Sequence, residues 1–142
     1  MISDIESHLK TPVSIFENDA DVREMPFMWQ FPKNCCERIA ALLCETLKRK
    51  YPDAQVVYVT GENPKTGEMH FWVEINDIVV DATAHQFNEI ENPLVCYKPS
   101  PLEGPYCPIS RTEDPTAGTD LTTNSNGKWH SSLATLCRAF GV

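Results

Sequence analysis

Long apolar runs are missing from this 142-residue sequence. None approaches the ~20 residues that span a bilayer. The opening residues MISDIESHLK also lack the apolar segment of a secretory signal. We therefore expect a cytoplasmic protein, with export by a route that needs no cleavable signal left open as an alternative.

Positive charge is scarce as well. Twelve lysines and arginines face 20 acidic residues, which gives a net charge of −8, and the cations do not gather into a stripe. Binding to phosphate groups requires clustered cations. The composition therefore argues against nucleic acid and anionic membranes as partners. A protein or peptide substrate, or a small amide, remains compatible with it.

Metal-binding cysteine spacing is also absent. The six cysteines include no Cys-x-x-Cys pair, so no structural zinc site is indicated, and we expect neither a metal nor another cofactor. In a reducing cytoplasm these thiols should be free. The cysteines are Cys35, Cys36, Cys44, Cys96, Cys107 and Cys137, of which we expect the last four to be structural.

The length predicts one domain over residues 1–142. Residues 1–30 show no clear pattern beyond a short helix within 19–28. The first strong element is a helix in which Asn34 is the expected N-cap and Glu37 completes a capping box. Its apolar residues recur at helical spacing: Cys36, Ile39, Ala40, Leu43 and Leu47.

Three segments that contain many β-branched residues follow this helix. Residues 55–61, 68–75 and 78–83 are predicted strands. The last two form a hairpin through Asn76-Asp77, although the glycine favoured in such turns is missing. The sequence thus predicts antiparallel pairing.

The character of the chain changes at residue 88. Proline, serine, threonine, glycine and asparagine dominate residues 88–128, which we expect to be a long loop with a short strand near 95–97. Residues 129–142 are predicted to contain a terminal helix. The order of elements indicates an α+β fold.

Cys36 is the candidate nucleophile. In the first turn of its helix, free backbone N–H groups and the positive end of the helix dipole favour a thiolate. A cysteine at helical spacing on an apolar face is otherwise an ordinary core residue. The assignment therefore depends on a partner.

His70 and Asp81 provide that partner. With a two-residue turn, Ile75 faces Ile78, and His70 and Asp81 become diagonal neighbours on one face of the hairpin. A carboxylate that orients an imidazole is typical of catalytic triads. A purely structural His–Asp pair is the alternative, and a one-residue slip would separate the two side chains.

Gln30 is the candidate oxyanion donor. It lies six residues before Cys36, where a side-chain amide could act with the Cys36 backbone N–H. A surface glutamine is the alternative. His85 borders the site or lies in an exposed loop, and Trp72 is expected to pack beside His70.

Two segments together resemble a known superfamily. The sequences QFPKNCCERIAALL and HFWVEINDIVVDATAHQF, within residues 30–87, are similar to the papain-like cysteine hydrolase and transglutaminase-like superfamily, particularly its small bacterial members. The resemblance implies an α+β fold with the cysteine helix packed on an antiparallel sheet. It also implies catalysis by Cys36, His70 and Asp81 in that order. Such families usually have a small residue where this chain has Cys35, which lies near the helix start as well and is the alternative nucleophile. The spacing from Phe31-Pro32 and from Gln30 selects Cys36.

These observations predict a cysteine-dependent enzyme that hydrolyses an amide or peptide bond, as a protease or deamidase does. One alternative is transfer to an amine, as in transglutaminases and acyltransferases. Another is a catalytically silent binding module that uses residues 88–128 as its contact surface. A redox protein that uses Cys35 and Cys36 ranks last.

Overall fold

The fold is known from a computed structural model, which describes residues 1–87 and 89–142. Its centre is a five-stranded antiparallel sheet with the strand order β4-β3-β2-β1-β5. The strands are β1 (Val56–Glu62), β2 (Met69–Ile75), β3 (Ile78–Asp81), β4 (Leu94–Tyr97) and β5 (Cys107–Thr112). The helices are α1 (Ile2–Asn18), α2 (Ala20–Arg23), α3 (Cys36–Lys50) and α4 (Trp129–Ala139), with 3₁₀ turns at Met28–Gln30 and Ala84–Gln86.

The two faces of the sheet bury different sets of side chains. One face packs against α1 and α3, α4 packs against these helices, and together they form the larger core. The other face carries Val59, Trp72 and Val79, which Leu102 and Tyr106 cover. This mixture of helices with an antiparallel sheet confirms the α+β class. None of the helices among the described residues has the length and apolar composition that crossing a membrane requires.

Helix α3 begins at Cys36, so the predicted nucleophile does lie in a first turn. The predicted N-cap at Asn34 is wrong. Asn34 has a left-handed backbone (φ 61°) and its side chain donates a hydrogen bond to Gln30, whereas an N-cap has an extended backbone and caps the helix with its side chain. Cys35 takes the N-cap position without a side-chain hydrogen bond, so the capping box with Glu37 does not form.

The N-terminal helix α1 was not predicted. Pro12 lies within it, and proline normally ends a helical pattern. Its buried residues nevertheless recur at helical spacing: Ile5, Leu9, Pro12 and Phe16. The short helix expected within 19–28 is present as α2, which Asp19 caps through the Val22 N–H.

The hairpin of β2 and β3 has the predicted register. Ile75 pairs with Ile78. Asn76 adopts a left-handed conformation (φ 52°) and so provides the turn geometry that glycine usually supplies. On the other side of β2, His70 pairs with Gly61, where a Cβ atom would lie only 2.7 Å from the Trp72 ring.

The long segment after β3 contains more structure than expected. The short strand near 95–97 is confirmed as β4, but β5 was missed. Its Pro108 argues against a central strand, and β5 is indeed an edge strand. The predicted loop starts at Asn88, which lies outside the described residues.

Candidate active site

Cys36 lies at the start of α3 and lines a cleft of about 470 Å³. Its side chain is half-buried. The first N–H groups of an α-helix have no partner within the helix, and the dipole is positive there. The position therefore places the sulfur at the positive end of a helix, where a substrate in the cleft can reach it.

Cys35 has a different environment. Only 3% of its surface is exposed, and it is part of the core. Burial, together with the nearby Cys36, raises the pKa of the Cys35 thiol to about 12. A thiol that stays protonated at neutral pH is a poor nucleophile. The geometry therefore favours Cys36 over Cys35.

His70 and Asp81 form the contact expected from the hairpin register. The His70 Nε2 lies 2.7 Å from the Asp81 Oδ2, and both side chains are almost completely buried. Burial alone lowers the pKa of His70. The hydrogen bond to Asp81, the proximity of Cys36 and the charges of these two groups outweigh that effect and raise the pKa to about 9.

Asp81 also fixes which ring nitrogen of His70 is left for a second partner. Its second oxygen, Oδ1, accepts hydrogen bonds from the Thr83 N–H at 3.1 Å and the Thr83 hydroxyl at 3.3 Å. Because the carboxylate engages the Nε2–H of His70, Nδ1 is the nitrogen left to exchange a proton with Cys36. The three side chains therefore have the connectivity of a nucleophile, a base and an orienting acid.

Gln86 is a site residue to which the sequence assigned no role. Its Nε2 lies 3.4 Å from the His70 Nδ1 and 3.4 Å from the Thr83 Oγ1, and the residue lines the cleft. The 3₁₀ turn after β3 brings it back to His70. The Gln86-Phe87 pair ends the segment that carries the superfamily resemblance. Side-chain periodicity, however, does not predict where a residue beyond the end of a strand lies.

Aromatic rings enclose the imidazole of His70. Ring centroids lie 5.9 Å away for Trp72, 5.1 Å for Phe87 and 5.7 Å for Tyr106. The expected packing of Trp72 beside His70 is confirmed. Exclusion of water by these rings strengthens the electrostatic interaction between His70 and Asp81.

Gln30 lies in the 3₁₀ turn before α3. Its Oε1 accepts a hydrogen bond of 2.6 Å from the Asn34 Nδ2, which leaves its NH₂ group as the donor. Asn34 lines the cleft, whereas Gln30 is not among the lining residues. The oxyanion role of Gln30 stays a prediction.

We expect Gln30→Ala to lower kcat on an activated ester by ~10²–10³-fold, because removal of one oxyanion donor typically has this effect. KM should change little, since the ground-state carbonyl gains little from the contact. Alkylation of Cys36 should be unaffected. A normal kcat in this variant would assign the oxyanion contact to another group.

No hydrogen bond among the described residues joins His8 or His85 to this site. His85 is half-buried, lies edge-on to Phe31 at 5.3 Å between ring centroids, and has a buried Nδ1 without a hydrogen-bond partner among the described residues. His8 stacks on Phe140. All six cysteines are free, and of the four expected to be structural, Cys44 and Cys137 are buried, Cys96 is half-buried and Cys107 is exposed.

Similarity to known proteins adds no information about this site. The chain matches no protein family, no curated protein and no solved structure. Within residues 1–87 and 89–142, no group of three or more His, Cys, Asp or Glu side chains is placed to hold a metal ion. The chemistry of the site is therefore argued from its own side chains.

Proposed function

We propose that this protein is a cysteine-dependent acyl-transfer enzyme that hydrolyses an amide or peptide bond. The observation that carries the proposal is the position of Cys36, which lines a cleft at a helix start beside the buried His70–Asp81 pair. The resemblance of residues 30–87 to the papain-like and transglutaminase-like superfamily supports it, and we propose that arrangement for the fold.

The first half of the reaction forms a thioester. The thiol proton of Cys36 lies on the Nδ1 of His70 before the substrate binds, and the sulfur attacks the carbonyl carbon of the substrate as a thiolate. The carbonyl electron pair moves to oxygen, where the Cys36 backbone N–H and Gln30 stabilise the negative charge. When the pair returns, the C–N bond breaks and the His70 proton passes to the leaving amine.

The second half releases the acyl group. His70 takes a proton from a water molecule, the hydroxide attacks the thioester carbon, and the C–S bond breaks to give a carboxylic acid. The proton taken from water stays on His70, which restores the starting pair of imidazolium and sulfur. Asp81 stabilises the imidazolium at both stages. Water is the default acceptor unless a site excludes it, so hydrolysis is favoured over transfer to an amine.

The test is alkylation of the native protein by iodoacetamide at mildly acidic pH. The helix start and the neighbouring His70 should make the Cys36 thiol react faster at this pH than thiols without such partners. Mass spectrometry of peptides should show modification of Cys36 before the other five cysteines. The exposed Cys107 is the internal control for accessibility.

Two results would contradict the proposal. If Cys36 reacts no faster than Cys107, the protein is better described as a silent binding module. If Cys35 reacts first, the nucleophile is the neighbouring thiol and the site must open in solution.

A further inference from the structure

Arg38 is a charged group in the cleft that the proposed mechanism does not use. It lies two residues after Cys36 in α3, its side chain is nine-tenths buried, and it lines the same cleft. Burial lowers the pKa of its guanidinium, although the charges of Glu37 and Asp120 partly oppose this effect. Arginine nevertheless remains protonated in proteins. The cleft therefore contains a fixed and largely desolvated positive charge.

The hydrogen bonds of Arg38 go to neutral groups. Its Nε donates to the Ser125 Oγ at 3.1 Å, and its Nη2 donates to the Asn124 carbonyl. None of the ion pairs among the described residues includes Arg38. Among the described residues, the Arg38 Nη1 donates to no protein group, and this nitrogen is not fully buried. Nη1 is thus available to a ligand.

Glu37 and Asp120 affect the pKa of Arg38, but neither forms an ion pair with it among the described residues. A buried charge without a directly bonded counter-charge is costly, and structures normally pair it. The guanidinium fork matches a carboxylate, to which it donates two parallel hydrogen bonds. Glu37 and Glu68 also line the cleft, but both are exposed, so water and salt screen their charges. An anionic group that reaches Arg38 therefore meets the least screened charge of the cleft wall.

We propose that Arg38 binds a carboxylate of the substrate, so that the enzyme acts on an amide that carries a carboxylate close to its scissile carbonyl. This inference rests on the proposed function of Cys36. The alternative is that Arg38 only anchors residues 124–125 to α3. The two roles differ in one measurable respect, because anchoring does not depend on the charge of an incoming molecule.

The experiment compares two reagents that differ mainly in charge. The rates at which iodoacetate and iodoacetamide modify Cys36 are measured in the intact protein, and their ratio is taken. We expect Arg38→Met to lower the iodoacetate/iodoacetamide ratio about tenfold or more, which corresponds to the loss of one charged hydrogen bond. Ser125→Ala is the matched control, since it weakens the anchor and keeps the charge, and its ratio should equal that of the wild type.

A second measurement needs no variant and therefore does not depend on whether Arg38→Met folds. Peptides are tested for protection of wild-type Cys36 against iodoacetamide: N-acetyl-triglycine, N-acetyl-triglycine amide and N-acetyl-aspartic acid amide. N-acetyl-triglycine has a terminal carboxylate and the aspartic acid derivative a side-chain carboxylate, so the stronger protector identifies the source. Either should protect better than the uncharged amide.

Equal iodoacetate/iodoacetamide ratios in the wild type and Arg38→Met, or equal protection by the three peptides, would overturn the inference. If iodoacetamide still labelled Cys36 fast, the proposed function would not be affected by that result. Equal decreases in both rates, in Arg38→Met and Ser125→Ala alike, would assign Arg38 to anchoring alone. If iodoacetamide did not label Cys36 of the wild type before the other cysteines, the proposed function would be contradicted, and this inference with it.

Discussion

Cys36→Ala should lower turnover of an activated ester by at least about 10⁴-fold, because removal of the nucleophile from a triad leaves only the residual catalysis of the surrounding site. The substitution removes one sulfur atom from a half-buried position, so the fold should be retained. The measurement is the rate of nitrophenol release from a nitrophenyl ester, with circular dichroism as the check on folding.

Cys35→Ala is the matched control for this substitution. The side chain is the same, one residue away, but it lies in the core instead of the cleft. We expect it to reduce the free energy of unfolding by ~1 kcal/mol through lost packing and to leave turnover within a fewfold of wild type. An inactive Cys35→Ala protein with an active Cys36→Ala protein would exchange the roles of the two thiols.

Asp81→Asn should lower kcat by about 10³–10⁴-fold with the fold preserved. An amide cannot stabilise the imidazolium as a carboxylate does, and its NH₂ group favours the wrong tautomer of His70. In the wild type, His70 keeps its proton up to its pKa of about 9. Turnover that needs this proton for the leaving group should therefore decrease as the pH rises through about 9. Without the charge of Asp81, this decrease should begin at a lower pH.

Asp77→Asn is the control for Asp81→Asn. It makes the same chemical change in the exposed turn of the same hairpin. Its kcat and its pH profile should match those of the wild type. If Asp81→Asn also turned over at the wild-type rate, the His70–Asp81 hydrogen bond would be structural and Asp81 would have no part in the mechanism.

The relation between His70 and Asp81 could be predicted because it depends on local rules. The alternation of side chains along a strand and the length of one turn decide which residues share a face. Asn76 replaced the usual glycine without changing the register. The diagonal pair was therefore accessible from the hairpin segment alone.

The surroundings of the pair could not be predicted in the same way. Tyr106 and Gln86 reach His70 from the segment after β3, through contacts that no sequence periodicity encodes. Arg38 resembles a solvent-exposed helical residue until the Ser125 segment folds over it. Burial, which distinguishes Cys35 from Cys36, is likewise a property of the assembled fold.

Two errors of prediction have simple causes. Sequence rules do not predict helix α1, because Pro12 normally ends a helical pattern. In the folded protein, tertiary packing overrides this local preference. Residue preference alone favours Asn34 as the N-cap, but in the structure its side-chain amide donates a hydrogen bond to Gln30. Neither error moved Cys36 out of the first turn, because the apolar spacing of α3 sets its position.

The most direct test of the central claim is detection of the covalent intermediate. The protein is mixed with an activated acyl ester, quenched in acid within seconds, and measured by intact-mass spectrometry. We expect one added acyl group on Cys36, which hydroxylamine removes as it removes a thioester and which is absent from Cys36→Ala. An acyl group on another residue, or none under conditions in which the ester is turned over, would contradict it.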